Sequence, residues 1–159
     1  MLSSPLPYTI HPIVDVIHAI DQGQDPWASF NAFYHDWWGH AVAYRQELIA
    51  EPPATPTTEE GKRWAAFAAA TVEELCNRHD IPCPEWTQQP FYFLAEPWYI
   101  WPQPSLHEEL QKSTLAPYKR RNVYAGGNVL DNKYELKELF GPTEEAAIRQ
   151  ANTWILTDE

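Results

Sequence analysis

Apolar positions recur at three- and four-residue intervals in several stretches, and each stretch is bounded by residues that start or stop helices. Ile13, Val16, Ile17 and Ile20 have this spacing, with Pro12 near the start and Gly23 past the end. Asp25 then has the character of an N-cap, followed by Pro26 at the first helical position. From there Trp27, Phe30, Phe33, Tyr34, Trp37, Trp38, Ala41, Tyr44, Leu48 and Ile49 predict one helix that stops before Pro52-Pro53. Thr57 and Glu60 have capping-box spacing and precede a stripe of Trp64, Phe67, Ala68, Thr71, Val72, Leu75 and Cys76, which predicts a helix over about 58–79.

The pattern then changes. Residues 82–104 mix prolines with Trp86, Phe91, Tyr92, Phe93, Trp98, Tyr99 and Trp101 and show no helical period. An irregular but ordered segment laid across the helices fits that composition. Ser105 and Glu108 repeat the capping-box spacing and predict a helix to about Thr114, and Pro117 opens a further turn. Gly126-Gly127 suits either a short hairpin or a loop. Further helices are predicted at about 132–140 and 143–156, and residues 1–10 read as an extended arm. The fold expected is mainly α: a compact single domain, 11–159, of five to seven helices. Its core would be the 26–50 and 58–79 helices packed antiparallel.

Composition sharpens this picture. In 159 residues there are eight Trp, eight Tyr and six Phe, too many rings for a disordered chain despite fifteen Pro. The absence of any apolar run near the roughly 18 residues of a membrane span, and of a basic leader, gives a cytoplasmic expectation without membrane contact. Two cysteines make no disulfide framework. The net charge of −11 disfavours nucleic acid as a partner, leaving weak nucleic-acid binding through Arg120 and Arg121 only as an alternative. That charge is uneven: residues 111–137 carry +4 and the remainder −15.

Four stretches are candidates for chemistry. In "FYHDWWGH", Asp36 and His40 are four apart and Glu47 follows seven later, so a straight helix would put all three on one side. They could ligate a divalent metal, or Asp36 could orient His40 as a base; the plainer reading is a solvated Asp36–His40 pair beside a ring-packed face. Cys76, His79 and Cys83 include two zinc-ligand types, but Cys76 continues an apolar stripe and reads as a buried thiol. Lys119, Arg120 and Arg121, flanked by Tyr118 and Tyr124, form the basic run. These five are the expected partner-binding residues, suited to self-association as a homo-oligomer or to an acidic protein surface. Residues 91–101 are expected in the core or at a protein interface. No phosphate loop, nucleophile elbow or zinc-protease motif occurs.

"RQELIAEPPATP", "LCNRHDIPCPEW", "FLAEPWY" and "YKRRNVYAGGNVL" occur in that order over about residues 45–130. This series resembles a family of small uncharacterised bacterial helical proteins, found alone or attached to DNA-binding regulators, some next to nucleotidyltransferase-like toxins. The resemblance implies an antitoxin-like or regulatory binding module whose protein partner would be a toxin; the aromatic surplus, the split charge and the missing motifs point to a non-catalytic module with no cofactor expected. It supplies no catalytic residues. His79, Pro82, Pro84 and Trp86 match the pattern, whereas Cys76 and Cys83 stand outside it.

Overall fold

The structure is a computed structural model that describes residues 9–132 and 134–135. The expected arm over 1–10 and the helices expected at 132–140 and 143–156 fall wholly or largely outside those residues.

Helix α1 spans Ile13–Asp21 and buries Ile13, Val16, Ile17 and Ile20, the four positions set by its period. Gly23, with φ +98°, turns the chain away. Helix α2 spans Pro26–His35, and the Asp25 side chain caps it by accepting the Ala28 N–H at 2.8 Å. The expected single helix to residue 50 is interrupted. Asp36–His40 form a π-turn, Val42–Tyr44 a 3-10 turn, and helix α3 covers only Arg45–Ile49. At Gly39 a Cβ would sit 2.9–3.0 Å from the Tyr134 ring and hydroxyl, so that ring lies directly against the turn.

Helix α4, Glu59–His79, is the central element. Thr58, rather than Thr57, is its N-cap and accepts the Gly61 N–H at 2.9 Å. Glu60 instead accepts from Trp64 Nε1 at 2.7 Å. Asp21 takes up both threonines: its carboxylate accepts the Thr57 and Thr58 N–H groups and both hydroxyls at 2.6–3.1 Å. These bonds hold its carboxyl down to about 2 and tie the end of α1 to the start of α4.

All residues from Trp64 to Val72 are buried, so the middle of α4 is enclosed on every side rather than along a stripe. Its alanines admit close neighbours. The nearest helix is α1, not α2 as expected. Helix α2 reaches α4 through rings, with Phe30–Phe67 centroids 4.9 Å apart and Trp27–Trp64 5.2 Å apart.

The Pro/aromatic segment wraps this core as irregular but ordered chain. It contains 3-10 turns at Glu85–Gln88 and Pro90–Tyr92 and strand β1, Trp98–Tyr99. A 3-10 turn, Pro104–Leu106, precedes helix α5, His107–Ser113; the expected Ser105 cap is not made. Helix α6, Ala116–Lys119, leads to strand β2, Val123–Tyr124, which pairs parallel with β1. Residues 122–130 are therefore not a hairpin: an extended pair ends in a turn. The fold is mainly α, with six α-helices and one two-stranded sheet among the described residues. No helix among them is long and apolar enough to cross a membrane.

Candidate functional site

The basic run is split between interior and surface. Pro117 starts the short helix α6, and Asn122, at φ +62°, ends the turn that follows it. Between them the chain turns Arg121 inward, with no exposed surface. Its Nη1 donates to the Pro117 carbonyl and pairs with Glu73 Oε1, both at 2.9 Å, and its Nη2 donates to the Thr87 carbonyl at 2.7 Å. The guanidinium lies 4.7 Å from the centre of the Phe93 ring. Burial, with the Arg120 charge nearby, lowers Arg121 to about 10, so it remains a cation at neutral pH. Tyr118 is also fully buried; its hydroxyl is 2.8 Å from Thr71 Oγ1, and burial pushes its ionisation well up.

The expected surface patch is thus corrected for Tyr118 and Arg121, which bind the chain to itself. Arg120 is half-exposed and pairs with Glu73. Lys119 is exposed. Tyr124 is half-buried, stacked on Tyr99 at 4.8 Å.

The Asp36, His40 and Glu47 set also comes apart. The π-turn and the 3-10 turn reset the helical phase before α3, where Glu47 is exposed. Asp36 is buried rather than solvated, with 1% of its surface exposed. Its Oδ2 accepts the His11 backbone N–H at 2.6 Å and lies 3.1 Å from His11 Nδ1. His40 Nδ1 is 3.8 Å from Oδ1. Asp36 therefore holds the start of α1 against the π-turn. Among the described residues no group of three His, Cys, Asp or Glu side chains is placed to hold a metal.

His79 serves the end of α4. Arg45 Nη1 donates to its Nδ1 at 3.3 Å, while Arg45 Nε donates to the Trp37 carbonyl at 2.8 Å. Burial first, and the Arg45 charge second, lower His79 below the usual histidine range and favour its neutral form. Cys76 is buried and Cys83 exposed, both as free thiols.

A concave surface lies elsewhere. A groove of about 620 Å³ runs between α5 and the 125–128 turn. Leu106, Glu109, Leu110 and Ser113 form one wall, Trp101 and Gln103 the end, and Ala125–Asn128 the other wall. Gly126 has φ +88° and donates its N–H to Thr114 Oγ1 at 2.9 Å. A Cβ on Gly127 would lie 2.8 Å from the Ser113 carbonyl oxygen, so the turn can approach α5 only with glycine there. Trp101 stacks on Trp27 at 5.9 Å, which fixes the groove's aromatic end to the core. Leu106 is 40% exposed on the rim, and Glu109 is the one charged lining residue among the described residues. Sequence reasoning missed Gln103, Leu106, Glu109 and Asn128 as a group. The glycine pair was the only local signal, and it reads equally as a turn.

No protein-family model, no curated protein and no solved structure matches the chain.

Proposed function

We propose that the protein is a non-catalytic binding module that captures a protein partner in the groove between α5 and the 125–128 turn. One observation carries this reading: the groove combines an exposed leucine, an anchored tryptophan and exposed backbone at Gly127, with Glu109 as the single charged group among the described lining residues. Aromatic and aliphatic anchors next to one charge suit a segment bearing Lys or Arg beside an apolar side chain. A toxin held by an antitoxin-like or regulatory partner is the kind of partner that the resemblance implies. The placement of Arg121 and Tyr118 turns this reading away from the basic run as the main contact.

The test is titration of the 15N-labelled protein with short peptides containing arginine flanked by leucines. Chemical-shift changes should centre on the Trp101 indole and the Gly126 and Gly127 amides, and Glu109→Lys should abolish them. Absence of shifts, or shifts centred on Lys119 and Arg120, would contradict the proposal.

A further inference from the structure

Cys76 and Cys83 make opposite uses of the same turn. Cys76 ends the buried face of α4, with 2% of its surface exposed. The helix closes there: the Ile81 N–H donates to the Cys76 carbonyl at 3.0 Å across Asp80, whose φ is +55°. This turn brings the chain back over the helix end, so that Cys76 Sγ lies 3.9 Å from the carbonyl oxygen of Pro82, the residue before Cys83. Cys83 is exposed, and its Sγ is 3.3 Å from Thr87 Oγ1. The two thiols are close enough to influence each other: burial pushes Cys76 up to about 12, and the Cys83 thiol adds to the effect.

We propose that Cys76 and Cys83 form a reversible dithiol–disulfide pair whose oxidant is a hydroperoxide, with Cys83 reacting first and Cys76 resolving. In the first step the Cys83 sulfur attacks the peroxide oxygen. The O–O bond breaks, Cys83 becomes a sulfenic acid, and the peroxide's other oxygen leaves as water or an alcohol. In the second step Cys76 sulfur attacks the Cys83 sulfur. The S–S bond forms, the S–O bond breaks, and the hydroxyl leaves with the Cys76 proton as water. Two thiols have then lost two electrons and the peroxide has gained them.

The order follows from access. A buried, protonated thiol is a poor target for peroxide, whereas an exposed one meets it directly. The returning turn brings the chain at Pro82, next to Cys83, back to within 3.9 Å of the Cys76 sulfur. The bridge would also act on the fold, because Thr87, four residues after Cys83, supplies the carbonyl that receives Arg121.

The full-length protein is treated with hydrogen peroxide, and its free thiols are counted before and after dithiothreitol. Trypsin cuts after Arg78, so a bridge appears as two linked peptides, one carrying Cys76 and one Cys83. The expected result is loss of both thiols, an intramolecular link between those peptides, and full recovery on reduction. Cys76→Ala should stop at a sulfenic acid on Cys83 that dimedone traps. Cys83→Ser should leave Cys76 unmodified under the same treatment. Retention of both thiols in the wild type, links only between separate chains, or oxidation of Cys76 in Cys83→Ser as readily as in the wild type would each overturn the proposal.

Discussion

Residues 13–79 and residues 81–130 are held together by different means. In the first region, burial follows the helical period in α1 and encloses the middle of α4, and rings from α2 interlock with Trp64 and Phe67 of α4. In the second, regular structure is sparse, and a few polar side chains fix long irregular stretches. Asn122 Nδ2 donates to the Leu94 carbonyl at 2.8 Å, and Leu94 N–H returns a bond to the Arg121 carbonyl at 3.1 Å. Trp86 Nε1 donates to the Ile49 carbonyl at 2.9 Å and pins the exit from α4 to α3. Arg121 alone joins Glu73 on α4, Thr87 in the 3-10 turn and Pro117 in α6. Apolar area thus holds the first region; buried polar side chains that bond several segments at once give the second its shape, and they are costly to break singly.

The largest losses should come from removing one anchor of each kind. Phe67→Ala should cost about 3–5 kcal/mol through lost ring burial and a cavity beside Phe30 and Trp64. Glu73→Ala should cost a similar ~3–5 kcal/mol, because Arg121 is left charged, buried and without its carboxylate. Hydrogen exchange separates the two variants. In Glu73→Ala the Leu94, Trp98 and Ile100 amides should lose protection before those of α4 do; uniform loss in both variants would erase the distinction between the regions. A smaller effect, ~1–3 kcal/mol in urea unfolding, is expected of Trp86→Phe, which keeps most of the ring but strands the Ile49 carbonyl.

The smallest effect concerns the junction between α1 and α4. The Asp21 carboxyl lies near 2 in the folded chain against an ordinary 3.8. A lowered carboxyl stabilises the fold fully above the unfolded value, and that contribution fades as pH falls through the folded one. Asp21→Asn should therefore melt below the wild type at neutral pH, with the gap closing between about pH 4 and pH 2. A gap unchanged over that range would mean that the five bonds from Thr57 and Thr58 do not depend on the charge.

The same contrast explains what could be read from sequence. The α1 face, the Asp25 cap and the existence of α4 were legible because local spacing and local caps produce them. The break at Asp36–His40 was not, since the groups packed on it, His11 against Asp36 and Tyr134 against Gly39, come from distant parts of the chain. The full enclosure of the middle of α4 was hidden because alanine carries little hydrophobic signal yet permits the closest neighbours. Arg121 was misplaced for a related reason: three consecutive basic residues read as one surface, while the turn at Asn122 sends the third into the interior. The groove residues come from three separate segments, and nothing in their spacing joins them.

Arg120 and Arg121 test the central claim most directly, because they are neighbours of the same type with opposite roles. Urea unfolding of Arg120→Ala and Arg121→Ala should give very different losses. The half-exposed Arg120 should cost about 0–1 kcal/mol, and the buried Arg121 about 3–5 kcal/mol. Equal and small losses for both variants would contradict the account and return the whole run, Lys119 to Arg121, to the surface.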